Sequence, residues 1–174
     1  MMSQMQNITG QWLLSLRHYL SMMLLLSSPQ RLPYNPYCIA LTIFAYYLVC
    51  LLLVNPERSY GELSAHLTLE LALLALVVYM GLRWKKLLPR FQQTFSALVG
   101  INLLITLVTI VLIQFETSDE SLAENPLFYL LLFWNLAAMS QVYKRAFEIS
   151  VFLSAMIAFN YYVLYQFILA WFYQ

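Results

Sequence analysis

Long apolar runs separated by short polar stretches make up most of the chain. Each run is close to the ~20 residues that a helix needs to cross the hydrocarbon core of a membrane. All six prolines fall between the runs or at their starts, where they interrupt no helical hydrogen bond. The pattern predicts an all-α fold, a polytopic membrane bundle that forms one domain, residues 37–174. Its five spanning helices are expected at about 37–54, 67–82, 91–115, 127–143 and 149–172.

The N-terminal segment, residues 1–36, differs from the rest. We expect no regular structure before Gly10, whereas Gln11 to Ser28 is rich in apolar residues but interrupted by Arg17 and His18. Its charge-free part is far shorter than a span, and the basic residues do not precede it as they do in a secretory signal peptide. We therefore expect an uncleaved amphipathic helix in the inner interface of the membrane, with a spanning helix as the less favoured alternative.

Basic residues are distributed unevenly among the connections. The densest run, Arg83–Arg90, lies between the second and third predicted spans. If the N-terminus is cytoplasmic, every Lys and Arg except Arg58 lies on the inner side of the membrane, as the positive-inside rule requires. The sorting predicts a cytoplasmic N-terminus and a C-terminus outside. We expect the membrane to be the bacterial inner membrane.

The same basic residues are candidate contacts for lipid head groups. A Lys or Arg near an anionic membrane surface contributes about 1 kcal/mol of attraction. Membrane lipids are therefore expected partners. The candidate contacts are Arg83, Lys85, Lys86, Arg90, Lys144 and Arg145.

Composition agrees with a membrane protein and gives no sign of catalysis. The chain is 62% hydrophobic and 10% charged, with a mean hydropathy of +0.70. A net charge of +1 gives no reason to expect a nucleic-acid partner. Cys38 and Cys50 lie on one predicted helix about 18 Å apart, too far to pair, and no metal-binding, phosphate-binding or nucleophile motif is present. We expect neither an enzyme nor a cofactor.

Three asparagines fall near the middle of predicted spans. Asn102, Asn135 and Asn160 lie on the third, fourth and fifth spans at similar depth. The favoured interpretation is that each amide bonds across a helix interface or to backbone, at about 0.6 kcal/mol for an average bond of this kind. The alternative is a shared polar cavity at the midplane, as in many transporters.

Glu70 is the only charged residue within a predicted span. We expect it about one turn inside the outer boundary, with His66 one turn ahead on the same face. A carboxylate within the membrane is a functional candidate. At so shallow a depth it could also reach interfacial water, and a purely structural pairing with His66 is the favoured interpretation.

The layout of the chain resembles the bacterial branch of the Yip-type (Ypt-interacting-protein) domain family. The resemblance rests on Ser28-Pro29 ahead of the first span, and on Phe133-Trp134-Asn135-Leu136 leading to Tyr143-Lys144-Arg145-Ala146 before the last helix. The Asp-Leu-Tyr-Gly-Pro-like signature of eukaryotic members is absent. The resemblance implies five membrane helices and a non-enzymatic protein that acts through partners.

We therefore expect a non-enzymatic accessory or adaptor protein that binds other membrane proteins or a second copy of itself. The short connections leave almost no mass outside the membrane, so partners would be met within the bilayer or at the basic connections. The alternative is a small carrier, proton-coupled or specific for a polar solute, that uses Glu70 and the midplane asparagines.

Overall fold

The computed structural model describes residues 2–33, 35–51, 60–115 and 126–172, and within these ranges the regular structure is entirely helical. Two short 3-10 turns, Pro29–Arg31 and Leu88–Arg90, precede α2 and α4. The six α-helices are α1 (Met2–Met23), α2 (Pro36–Leu51), α3 (Tyr60–Trp84), α4 (Phe91–Phe115), α5 (Pro126–Phe147) and α6 (Val151–Phe172).

The predicted all-α membrane fold is confirmed in part. Three helical segments are long and apolar enough to cross a membrane: Tyr60–Trp84, Leu88–Ile113 and Val151–Trp171. α2 is apolar but shorter over the residues described, and α5 does not belong to this set. The first and fourth of the five predicted spans therefore stay predictions. Residues 52–59, with Arg58, and the acidic run 116–125 lie outside the described residues, whereas residues 60–66 of the predicted first outer loop belong to α3.

From α2 onward, successive helices of the bundle run in opposite directions. The end of α3 meets the start of α4, where the rings of Tyr79 and Phe91 lie 6.5 Å apart. The start of α4 also meets the end of α5, because Arg90 forms a 2.6 Å ion pair with Glu148. The ends of α3 and α5 and the start of α4 therefore lie together. We call this the basic end of the bundle, since it carries both basic connections.

α4 is the central helix. It packs against α1, α2, α3 and α5, whereas α6 packs mainly on α5 and α3. Leu98 and Ile101 of α4 are fully buried, as are Val78 of α3 and Val142 of α5. A helix that is apolar on more than one face can be buried on several sides, which agrees with the central position of α4.

α1 lies across several helices of the bundle. Gln11 bonds Asn35 at the start of α2, and the carbonyl of Met23 accepts a 3.0 Å bond from the indole N–H of Trp134 in α5. Between them, the fully buried ring of Tyr19 lies against Gly100 of α4. The helix begins at Met2, so the expectation of no regular structure before Gly10 is wrong. Its placement in the membrane interface stays a prediction.

Three helices end in the same way at residues other than glycine. Leu25, Lys86 and Glu148 follow α1, α3 and α5 with φ angles of 64°, 59° and 56°. In each case the next amide bonds back to the carbonyl five residues earlier, for example Leu87 to Leu82 at 2.8 Å. This cap satisfies carbonyls at the helix end, and the left-handed residue costs roughly 1–2 kcal/mol relative to glycine.

Candidate functional site

Glu70 lies farther from the start of its helix than the sequence indicated. The predicted span begins at Leu67, but α3 begins at Tyr60, ten residues before Glu70. At 1.5 Å per residue, the carboxylate-bearing residue is ~15 Å along the helix from that end. Tyr46, ten residues into α2, and Asn102, eleven residues into α4, lie at matching positions from the opposite end. The depth of Glu70 in the membrane stays a prediction, because a helix can extend beyond the hydrocarbon core.

Side chains from two other helices bond the Glu70 carboxyl group. The hydroxyl of Tyr46 lies 3.0 Å from Oε1 and 2.9 Å from Oε2, and donates to the carboxylate. The amide Nδ2 of Asn102 donates to Oε1 at 3.2 Å. Tyr46 and Asn102 are 4% and 6% exposed, whereas Glu70 itself is partly exposed, so the bonds are partly buried. We call Glu70, Tyr46 and Asn102 the carboxylate cluster.

Two further polar atoms near this cluster are unsatisfied. Oδ1 of Asn102 and the hydroxyl of Tyr161 are buried and have no hydrogen-bond partner among the described residues. Tyr161, on α6, is close enough to Glu70 for an electrostatic interaction. No lysine or arginine of the described part of the chain forms an ion pair with Glu70. The cluster is thus a polar centre where helices α2, α3, α4 and α6 meet, with bonding capacity to spare.

An open cleft lies beside the first turns of α3, at the end opposite the basic end. It has a volume of about 780 Å³ and is lined mostly by residues of α3, together with Leu169 of α6. His66, one turn before Glu70, and Glu62 both contribute to its wall. No member of the carboxylate cluster lines this cleft.

A second buried polar group lies between the cluster and the basic end. The hydroxyl of Tyr19 lies 2.6 Å from that of Ser96 and 3.2 Å from that of Thr42. Thr42 is one helical turn before Tyr46 on α2, so these hydroxyls lie about one turn nearer the basic end than Tyr46. Burial raises the pKa of the Tyr19 phenol, which remains neutral. We call Tyr19, Thr42 and Ser96 the hydroxyl cluster.

The three predicted midplane amides do not form one site. Asn102 belongs to the carboxylate cluster, whereas Asn160 is exposed on α6 and donates to its own helix at Met156 O, 2.8 Å away. Asn135 is partly buried on α5, and its Oδ1 has no partner among the described residues. The prediction of a cavity shared by all three asparagines is wrong.

Sequence reasoning missed Tyr46 and the hydroxyl cluster. Tyr46 is one of 13 tyrosines, and nothing in its neighbourhood distinguishes it from Tyr47, whose exposed hydroxyl lies 2.7 Å from that of Thr68. A signal was available in the spacing of Thr42 and Tyr46, which places two polar groups on one face of an otherwise apolar helix.

The six candidate lipid contacts lie at the basic end but in different environments. Arg90 is engaged by Glu148, and Arg145 donates to the carbonyl of Leu25 at 3.2 Å. Trp84 is exposed, and the Lys85 ammonium lies 5.0 Å from the centre of its ring. An exposed tryptophan beside lysine is typical of the membrane–water interface. The lipid contacts themselves stay a prediction.

Over the residues described, fold and site together define a helical protein with helices suited to a membrane and a partly buried carboxylate hydrogen-bonded among them. Comparison with protein-family models, with curated proteins and with solved structures found no match. The resemblance to the Yip-type family therefore stays a prediction.

The chemistry available at the site is proton exchange. Within the described residues no group of three or more His, Cys, Asp or Glu side chains could hold a metal ion. A carboxylate bonded by a phenol and an amide can gain a proton and stay hydrogen-bonded. A phenol hydroxyl both donates and accepts, and an amide donates through its NH₂ group and accepts through its oxygen.

Proposed function

We propose that the chain is a small membrane carrier in which Glu70 takes up and releases a proton as a polar solute moves. The observation that supports it is the carboxylate cluster: a partly buried carboxyl group among three helices, bonded by Tyr46 and Asn102, without an ion pair to a lysine or arginine of the described residues. Ionisable residues within membrane-spanning helices mark ion pathways and proton relays.

The energetics favour a change of protonation rather than a permanent charge. An ionised carboxylate within hydrocarbon is costly unless it is paired, and taking up a proton removes that cost. In the charged form, Tyr46 and the Nδ2 of Asn102 donate to Glu70. In the neutral form, the Glu70 hydroxyl can donate to Oδ1 of Asn102 after the amide turns over, which exchanges Oδ1 for Nδ2 at the carboxyl group.

Polar groups on both sides of Glu70 along the bundle support a carrier. At the end opposite the basic end, His66, one helical turn before Glu70, contributes to the wall of the open cleft. Toward the basic end, the hydroxyl cluster continues the line of polar side chains from Tyr46. A carrier needs such a centre to face each side in turn.

The test is solute-driven proton movement in reconstituted vesicles. Purified protein is placed in vesicles that contain a pH-sensitive dye, and small amino acids, sugars and polyols are added outside as probes. We expect at least one probe class to drive proton movement with the wild-type chain but not with Glu70→Gln, which keeps the shape but cannot titrate. Glu148→Gln, at the basic end, is the matched control and should behave like wild type. If no probe moves protons, or if Glu70→Gln moves them equally well, the proposal fails.

The accessory or adaptor protein remains a second candidate, and the observation that favours it is on α6. Asn160 presents a polar amide at mid-helix on the exposed side of that helix. Polar side chains at such positions associate membrane helices through hydrogen bonds. For an adaptor, Glu70→Gln should leave partner binding intact, whereas replacing Asn160 should weaken it.

A further inference from the structure

α6 has a broad exposed side. It is the least covered of the three candidate spans, with 17% of its most apolar 18 residues buried against 50% for the span that contains α4. Phe152 and Phe159 are also exposed, and one strip of this side carries Asn160 among apolar and aromatic side chains. We call these residues the α6 stripe: Met156, Asn160, Val163, Leu164, Phe167 and Trp171.

The spacing of the stripe suits packing against another helix. Its members recur at intervals of three and four residues from Met156 to Trp171, the pattern of a seam between two helices. Any exposed face of a helix shows these intervals, so Asn160 is the feature that distinguishes this face. Against lipid alone, its amide would lie in hydrocarbon. The Nδ2 of Asn160 donates to Met156 O, but its Oδ1 accepts no hydrogen bond from the described residues.

We propose that two copies of the chain associate in the membrane through their α6 stripes, with Asn160 of one copy bonded to Asn160 of the other. A second copy suits this surface because the amide is self-complementary: it carries a donor and an acceptor, so two amides related by a twofold axis satisfy each other. α6 contains no charged residue that would select a partner of opposite charge. A single buried asparagine in such a seam also fixes the register of the two helices.

Cross-linking through introduced cysteines tests the geometry. In a chain with Cys38 and Cys50 replaced by alanine, one cysteine is placed at position 167 in the stripe. The matched control is Ala155→Cys, which is also exposed on α6 but lies on another side of the helix. After reconstitution at high lipid-to-protein ratio and mild oxidation, we expect Phe167→Cys to form disulfide-linked dimers and Ala155→Cys to form few. Equal cross-linking of both, or cross-linking of neither, would overturn the proposal.

A second measurement tests the role of the amide. Dimerisation in bilayers is followed by energy transfer between labelled copies as lipid dilutes them. Loss of two reciprocal amide bonds of average strength predicts a dimerisation constant about eightfold lower for Asn160→Leu. Gln166→Leu is the matched control, because it removes another exposed amide of α6 from outside the stripe, and it should leave the constant unchanged. A wild-type chain that stays monomeric, or equal effects of the two substitutions, would refute the pairing. The proposal does not depend on Glu70 and survives if the carrier is disproved.

Discussion

Gly100 marks the point where α4 approaches α1 most closely, and replacing it by alanine should loosen α1 from the bundle. A Cβ atom at this position would lie 2.5 Å from two ring carbons of Tyr19 and 2.6 Å from a third. The ring is fully buried and its hydroxyl bonds Ser96 and Thr42, so it cannot move aside without breaking those bonds. Either the ring or the whole of α1 must shift by about 1 Å to restore ordinary van der Waals contact.

The expected magnitude follows from the cost of overpacking. Adding a methyl group to a well-packed interior costs roughly 1–3 kcal/mol. If α1 detaches as a unit, that cost corresponds to a decrease of about 5- to 150-fold in the protection of its amides against hydrogen exchange. Hydrogen–deuterium exchange with mass spectrometry, read on peptides that cover residues 11–23, measures this directly.

Two comparisons isolate the effect of the contact with Tyr19. Gly10→Ala is the matched control, because a Cβ there meets nothing within 4 Å, and it should leave the protection of α1 unchanged or slightly higher. The double variant Gly100→Ala with Tyr19→Leu should be less destabilised than the sum of its single changes, since the smaller side chain relieves the contact. Wild-type protection of α1 in Gly100→Ala would show that the helix is not held against α4 in this way.

Three further predictions concern the cluster, the threading and the basic end. Tyr46→Phe should lower the free energy of unfolding by about 1–3 kcal/mol, because it removes the donor to both Glu70 oxygens. The control, Tyr47→Phe, should change this free energy by less than about 0.5 kcal/mol. Denaturant titration measures both. In a chain without other cysteines, Lys86→Cys should not react with a membrane-impermeant thiol reagent added outside. Rapid labelling would show that the orientation is the opposite of the predicted one. Neutralising the basic residues of Arg83–Arg90 should reduce the anionic lipid that co-purifies, and unchanged retention would exclude a lipid site.

The helices could be predicted from the sequence more readily than their ends. Apolar runs identify α2 to α6 because each must cover its backbone with apolar side chains. The start of α3 was missed because Tyr60 to His66 is largely polar, although Glu62 in its first turn favours a helix start. That error placed Glu70 about two helical turns too near the end of its helix.

Glu70 and Asn102 could be identified from the sequence as polar residues within spans, but the hydrogen bond between them could not be predicted. It depends on how α3 and α4 rotate about their axes, and weakly amphipathic membrane helices leave that rotation to packing. The same limit applies to Tyr19, whose burial against Gly100 depends on where α1 crosses the bundle.

The most direct test of the central proposal is the protonation of Glu70 itself. Infrared difference spectroscopy of the protein in membranes, recorded while the pH is changed, detects the C=O band of a protonated carboxyl group; a carboxyl shielded from water gives a band apart from those of solvent-exposed acids. We predict a band that appears and disappears reversibly with pH, shifts in Tyr46→Phe and is absent from Glu70→Gln. A spectrum with no such band, or one that persists unchanged in Glu70→Gln, would contradict proton exchange at this site.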